Sequence, residues 1–146
     1  MKTILITGAS SGIGCALAKI YAENSHNLVL VARREEKLKD LKEELEKKHS
    51  ISVIIEVMDL SKKENLEILS LKYKNIDVLI NNAGLGQYGK FDSYNLETDI
   101  SMINLNILTP IILTKFFAKS MKSGSKIINI ASTAGFQPVP LMATYS

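Results

Sequence analysis

Residues 7–14 read TGASSGIG, a loop whose residue types and spacing suit the holding of an anion. Gly8, Gly12 and Gly14 let the backbone turn tightly and come close to a pyrophosphate. Ser10 and Ser11 add hydroxyl donors, and Ile13 lies between the last two glycines. Such a loop binds phosphate only where it leaves a strand and opens a helix. The free N–H groups and the positive dipole end of that helix then face the anion. Cys15, just behind the loop, reads as a small packing residue. As the single cysteine it excludes an internal disulfide and accords with a reducing compartment. His26 and His49 fall near expected helix ends and carry no assigned role, and no metal site is expected.

The elements that must position this loop follow from hydrophobic periodicity. KTILIT (2–7) is a β-branched apolar run ending at Gly8, as a buried strand would. Ile13, Ala16, Leu17, Ile20 and Tyr21 then recur at helical spacing. NLVLVA (27–32) is a second strand, and Leu38, Leu41 and Leu45 form one stripe on a highly charged helix. SVIIEVM (52–58) is a third strand, followed by a short helix marked by Leu66, Leu69 and Tyr73. IDVLI (76–80) is the fourth strand, a helical stretch runs from about Thr98 to Met121, and SKIINIA (125–131) is the fifth strand. Continuous apolar strands alternating with amphipathic helices imply a parallel sheet covered on both faces. Right-handed crossovers leave a doubly wound α/β sheet of the Rossmann type, strand order 3-2-1-4-5, in a single domain over 1–146.

Composition agrees with this fold. Of 146 residues, 46% are apolar and 23% charged, as in globular domains. The net charge of +3 is a weak basic bias. The run RREEKLKDLKEELEKKH mixes both signs, so it reads as a solvated helix face and not as a nucleic-acid patch. The N-terminal MKTILITG is too short for a signal-peptide core, and no unbroken apolar stretch of about 18 residues occurs. A cytoplasmic location without membrane or nucleic-acid partners is expected. After Asp99 no acid follows, while Lys115, Lys119, Lys122 and Lys126 do, a weak hint that balancing residues lie further on.

The glycine spacing is G-x-x-x-G-x-G, and NNAG follows the fourth strand at 81–84. Together they resemble the classical short-chain dehydrogenase/reductase family, which carries T-G-x-x-x-G-x-G and N-N-A-G at these places. The resemblance extends strand for strand from Lys2 to Ser146. It implies hydride transfer between a nicotinamide cofactor and a carbonyl or alcohol carbon. It also implies that Asn81, Ala83 and Gly84 lie against the adenosine side of the cofactor. The end of the second strand selects the dinucleotide. VARRE puts Ala32 where NAD-using enzymes place an acid for the ribose 2′-hydroxyl, and Arg33 and Arg34 follow. Arginines can hold a 2′-phosphate by charge-assisted hydrogen bonds, so NADP(H) is expected over NAD(H), with Arg33 ahead of Arg34. In MDL (58–60), Asp59 with Leu60 matches the adenine-contacting position of the family. Asp59 could equally cap the next helix, in competition with Ser61.

For catalysis the family uses a tyrosine as general acid/base, which Tyr145 matches, and a serine that hydrogen-bonds the substrate oxygen, which Ser132 in NIASTAG matches. A tyrosine hydroxyl ordinarily titrates near pH ~10, so the role needs a nearby cation, supplied in the family by a lysine one helical turn on. An asparagine in the long helix completes the set, and both Asn104 and Asn106 stand in place. Pro110 has no N–H, and the carbonyl it leaves unpaired is four residues back, at Asn106. A free carbonyl there can hold a proton-relay water, and the alignment of INLNI with the family also favours Asn106.

GLGQYGKF (84–91) faces the expected cleft, where Tyr88 could touch substrate, and GFQPVPLM (135–142) lies over the nicotinamide pocket. The last residue is Ser146, so residues 1–146 are expected to be part of a longer enzyme and inactive alone, with the fifth strand an exposed, isoleucine-rich edge. The full-length form is expected to be a homodimer or homotetramer acting on a small carbonyl or alcohol substrate. Two alternatives remain at this stage: a non-catalytic dinucleotide-binding module or sensor, and an NAD-preferring member of the same family.

Overall fold

The apolar runs form the strands and the stripes form the helices, in strict alternation. A computed structural model describes residues 1–146. It places β1 at Thr3–Thr7, α1 at Gly12–Glu23, β2 at Asn27–Ala32, α2 at Glu35–Lys48 and β3 at Val53–Val57. α3 at Lys63–Lys72, β4 at Val78–Asn81, α4 at Leu96–Ile103, α5 at Thr109–Ala118 and β5 at Lys126–Asn129 follow. All pairings are parallel and the strand order is β3-β2-β1-β4-β5, as the periodicity predicts.

The period-two alternation of strand side chains divides the core between two faces. Ile4, Ile6, Leu28, Leu30 and Ile80 face Ala18 and Ala22 of α1 and Leu38, Leu41 and Leu45 of α2. Leu5, Val29, Val31 and Leu79 face Leu66 and Leu69 of α3 and Leu113 and Phe117 of α5. Every side chain of β1 from Ile4 to Ile6 is fully buried, as a central parallel strand requires. β3 is an edge strand, and its Ile54 and Val57 are exposed even though its sequence reads as continuously apolar. Glu56 on β3 is buried, where it accepts from Lys72 Nζ at 2.6 Å and from the Tyr73 hydroxyl, fastening the end of α3 to the edge strand.

The long helical stretch is not uniform. Between α4 and α5 the chain makes a π turn, Asn104–Leu108, in which the Thr109 N–H bonds to the Asn104 carbonyl five residues back. Leu96–Ala118 is long enough, and an 18-residue window of it apolar enough at mean hydropathy 1.5, to cross a bilayer by length and composition only. The segment is not an unbroken apolar run, because Glu97, Asp99, Asn104, Asn106 and Lys115 interrupt it. Met102, Thr109, Leu113 and Phe117 nevertheless pack into the protein. Leu96, Ile100, Ile103, Ile107 and Ile111 form an exposed apolar row on the opposite side.

Candidate active site

The functional candidates gather beyond the carboxyl ends of the strands, where β1 and β4 diverge in the chain order. That is the expected ligand crevice of a doubly wound sheet. The loop after β1 is tied to its neighbour strand, Gly8 N–H donating to the Val31 carbonyl at 2.8 Å. α1 opens at Gly12 with Ser11 as its N-cap residue, so its first N–H groups point into the crevice. Gly8 has φ +69°, and a Cβ there would meet Ala83 Cα at 2.8 Å. A Cβ on Gly14 would meet the Gly8 carbonyl oxygen at 2.5 Å. Gly14 thus serves close packing of helix on loop and does not line the crevice, and neither does Gly12, whose φ of +56° shapes the turn.

Gly8, Ser10, Ser11, Ile13, Arg33, Arg34, Asp59, Leu60, Ala83 and Gly84 line one cleft of about 300 Å³. Arg34 reaches across it: Nε and Nη2 donate to Ser10 Oγ at 3.1 and 2.9 Å, and Nη2 also donates to Ser11 Oγ. Asp59 does not cap α3, whose N-cap residue is Lys62 with no side-chain cap bond. Asp59 lines the cleft, and its Oδ1 accepts from the Ser61 N–H at 3.0 Å and the Ser61 hydroxyl at 2.8 Å. Burial pushes its carboxyl up, but the two Ser61 bonds, with Arg33 and Lys62 nearby, outweigh this and hold it below the ordinary aspartate range.

Asn81 lines neither this cleft nor the one around Tyr145. As the last residue of β4 it shares the face of Leu79, so its amide turns away from the cleft and donates to Asn129 Oδ1 at 2.8 Å and Thr114 Oγ1 at 3.2 Å. The residue the sequence reading passed over is Asn82. Its side chain donates to the Thr7 and Gly8 carbonyls at 2.9 and 3.3 Å, fixing the glycine loop, and it lines the cleft. Thr7 was missed as well. It is buried, donates to the Ile80 carbonyl and accepts the N–H groups of Asn82 and Ala83 at 3.0 Å, joining β1 to the NNAG turn. Its place in the T-G-x-x-x-G-x-G pattern was the available signal.

Ser132, Tyr145 and Asn106 come together around a second cleft of about 590 Å³, which shares Ile13, Asn82, Ala83 and Gly84 with the first. Ser132 caps a short 3-10 turn, its Oγ accepting from the Ala134 N–H at 3.1 Å, so its own O–H remains available as a donor. Asn106 clamps the turn after β4, donating to the Leu85 carbonyl at 2.8 Å and accepting the Leu85 N–H at 2.9 Å. Its side chain is therefore committed to structure, and the π turn modifies the simple four-residue count from Pro110. Asn104 is separated from it by function: its carbonyl accepts from both the N–H and the hydroxyl of Thr109. Tyr88 is 68% exposed and lines neither cleft, whereas Gly86 lines the second; the Tyr88 carbonyl accepts from the Tyr94 hydroxyl.

The description short chain dehydrogenase belongs to the family model that matches residues 2–146. The NADP-dependent 3-hydroxy acid dehydrogenase of Schizosaccharomyces pombe is 38% identical, over 92% of this chain and 55% of that protein. A short-chain dehydrogenase from Sphingobium yanoikuyae, solved with NADPH, superposes with a TM-score of 0.93 at 36% identity, over 99% of this chain and 59% of that one. The bulky-bulky ketone specific alcohol dehydrogenase of Comamonas testosteroni gives the same TM-score at 34% identity, over 99% of this chain and 60% of that one. The chain spans about half the length of the curated relatives it matches. With its parallel sheet, its glycine loop and its NNAG turn in place, this chain belongs to the short-chain dehydrogenase family.

Proposed function

We propose that this chain carries the dinucleotide cradle and the proton-transferring residues of an NADP(H)-dependent oxidoreductase that interconverts a carbonyl compound and an alcohol. The observation that carries this reading is the joined crevice. An arginine pair and a glycine loop stand at one end, Ser132, Tyr145 and Asn106 at the other, and Ile13 with Asn82–Gly84 between them. When bound, the reduced nicotinamide would supply the hydride. The Tyr145 hydroxyl gives its proton to the oxygen that gains negative charge, and takes it back in the reverse direction. Ser132 donates a hydrogen bond to the same oxygen. The main chain at Asn106 holds the water that resupplies the proton.

Arg33 and Arg34 take the 2′-phosphate. Arg34 already reaches the loop hydroxyls, and Ala32 leaves no acid to repel that phosphate. The NADP named for the fission-yeast relative and the NADPH in the Sphingobium structure support the same choice. Titration of the chain with each dinucleotide tests it. NADPH is expected to bind more tightly than NADH, and the double change Arg33→Ala, Arg34→Ala should weaken NADPH by roughly 10- to 100-fold. Tighter binding of NADH would overturn the cofactor assignment. No lysine or arginine lines the cleft around Tyr145, so the 146 residues by themselves should bind the dinucleotide without steady turnover. Sustained NADPH oxidation by this chain would contradict that.

The full-length enzyme is proposed to be a cytoplasmic homodimer or homotetramer, without membrane or nucleic-acid partners. The exposed row from Leu96 to Ile111 supports self-association, and the burial of Leu113 and Phe117 against the sheet supports a helix that stays in the domain.

A further inference from the structure

We infer that Thr109 is a positioning residue serving both ends of the crevice, its hydroxyl holding the adenine-side segment 58–60 and the turn that carries Asn106 in one register. This rests on the reading of the joined crevice as a dinucleotide and reaction site. Thr109 opens α5 and is only 2% exposed, so its hydroxyl needs a partner inside the protein. It reaches two carbonyls from different parts of the chain, Leu60 at 2.6 Å and Asn104 at 3.0 Å. A hydroxyl has one proton to give, and the shorter bond takes the larger share of it. The Asn104 carbonyl has a second donor in the Thr109 N–H, whereas no backbone N–H reaches the Leu60 carbonyl. The buried Leu60 carbonyl therefore depends on this one hydroxyl.

The neighbours on either side of this bond define its role. On one side, Leu60 follows Asp59, and both line the dinucleotide end. On the other, the π turn sets two consecutive residues on two different clefts: Leu105 lines the dinucleotide end and Asn106 the reacting end. Asn106 in turn holds both backbone groups of Leu85. Pro110 follows Thr109 and has no N–H to brace the turn, so the Thr109 side chain does so. A threonine suits the task, because its branched Cβ restricts χ1 and its hydroxyl bonds back to a carbonyl of the preceding turn. Thr109 itself lines neither cleft, so it acts only through Leu60 and Asn106. Without its hydroxyl, the Leu60 segment loses its tie to the start of α5, and both ends of the crevice loosen together.

Thr109→Val keeps the shape and removes the donor, Thr109→Ser keeps the donor and removes the methyl, and Thr109→Ala removes both. Each is compared with the native chain at low micromolar concentration in two measurements. One is calorimetric titration with adenosine 2′,5′-bisphosphate, a probe without the nicotinamide half. The other is hydrogen exchange of the unliganded chain, read by mass spectrometry and resolved to the Leu85 amide. Thr109→Val and Thr109→Ala should weaken the probe roughly three- to tenfold and speed exchange at Leu85 by a similar factor, while the amides of α1 and α2 keep their native rates. Thr109→Ser should stay within about twofold of the native chain in both. An effect at one end only, or at neither, would overturn the inference. So would a loss of native behaviour in Thr109→Ser, or an even rise of exchange through α1 and α2, unfolding of both donor-less variants included. No binding of the probe by the native chain would overturn the dinucleotide reading and this inference with it, whereas native binding that the variants leave unchanged would overturn this inference alone.

Discussion

Asn106 illustrates how one residue divides its work between side chain and main chain. Its amide makes a two-way clamp on Leu85, while the proposed relay uses the main chain. Asn106→Ala keeps the main chain but strands two backbone groups of Leu85. It should cost about 1–3 kcal/mol in denaturant unfolding, and in the full-length enzyme it should lower activity less than Tyr145→Phe. Equal activity losses would count against the main-chain role. Asp59 makes a different prediction. Its carboxyl titrates below the unfolded value, so it contributes stability above that value and loses it as pH falls through the folded one. An unfolding series from neutral pH down to about pH 3 should show the native chain losing its advantage over Asp59→Asn below about pH 4. A constant difference across that range would refute the Ser61-bonded carboxylate.

At the scale of elements, α3 is the helix least supported by pattern. Its apolar stripe is short, yet Leu66 and Leu69 are fully buried and its end is latched to β3 through Glu56. Burial, and then the bond to Glu56, push the Tyr73 hydroxyl well above its ordinary value. The folded state thus favours the neutral hydroxyl. Its contribution is complete below about pH 10 and is lost as pH rises further. Tyr73→Phe should therefore lower stability at neutral pH and flatten the alkaline limb of the stability profile. An unchanged alkaline limb would show that the latch does not hold. The α4–α5 pair carries the other device of this scale. The π turn between them rotates the helix by a fraction of a turn, so that Met102 and Leu113 both reach the core while Asn106 faces the cleft.

For the whole molecule, the open boundaries matter most. β5 has one neighbour, β4, and its other side offers unpaired backbone groups beside half-buried Ile127 and Ile128. With the apolar row on α4 and α5, this predicts association that grows with concentration. Size exclusion should show larger species as the chain is raised toward ~100 μM, and a strict monomer throughout would contradict it.

Much of this architecture was legible beforehand because a parallel sheet writes itself in one dimension. Buried strands are continuous apolar runs, their helices carry stripes, and the connections admit few topologies. The sheet order, the glycine loop with Ser10 and Ser11, the arginine pair, and the gathering of Ser132, Asn106 and Tyr145 all follow from residues in order along the chain. What only the tertiary structure decided depends on direction, not spacing. Strand alternation turned Asn81 away from the cleft and left Asn82 to brace the loop. A π turn cannot be counted from a propensity pattern that a plain helix fits as well, and so the clamp of Asn106 on Leu85 stayed hidden. Tyr88 was a candidate in the sequence, but its side chain stands in solvent outside both clefts. Periodicity tells which residues face a core, whereas the exact aim of a polar side chain is set by partners that lie far away in sequence and near in space.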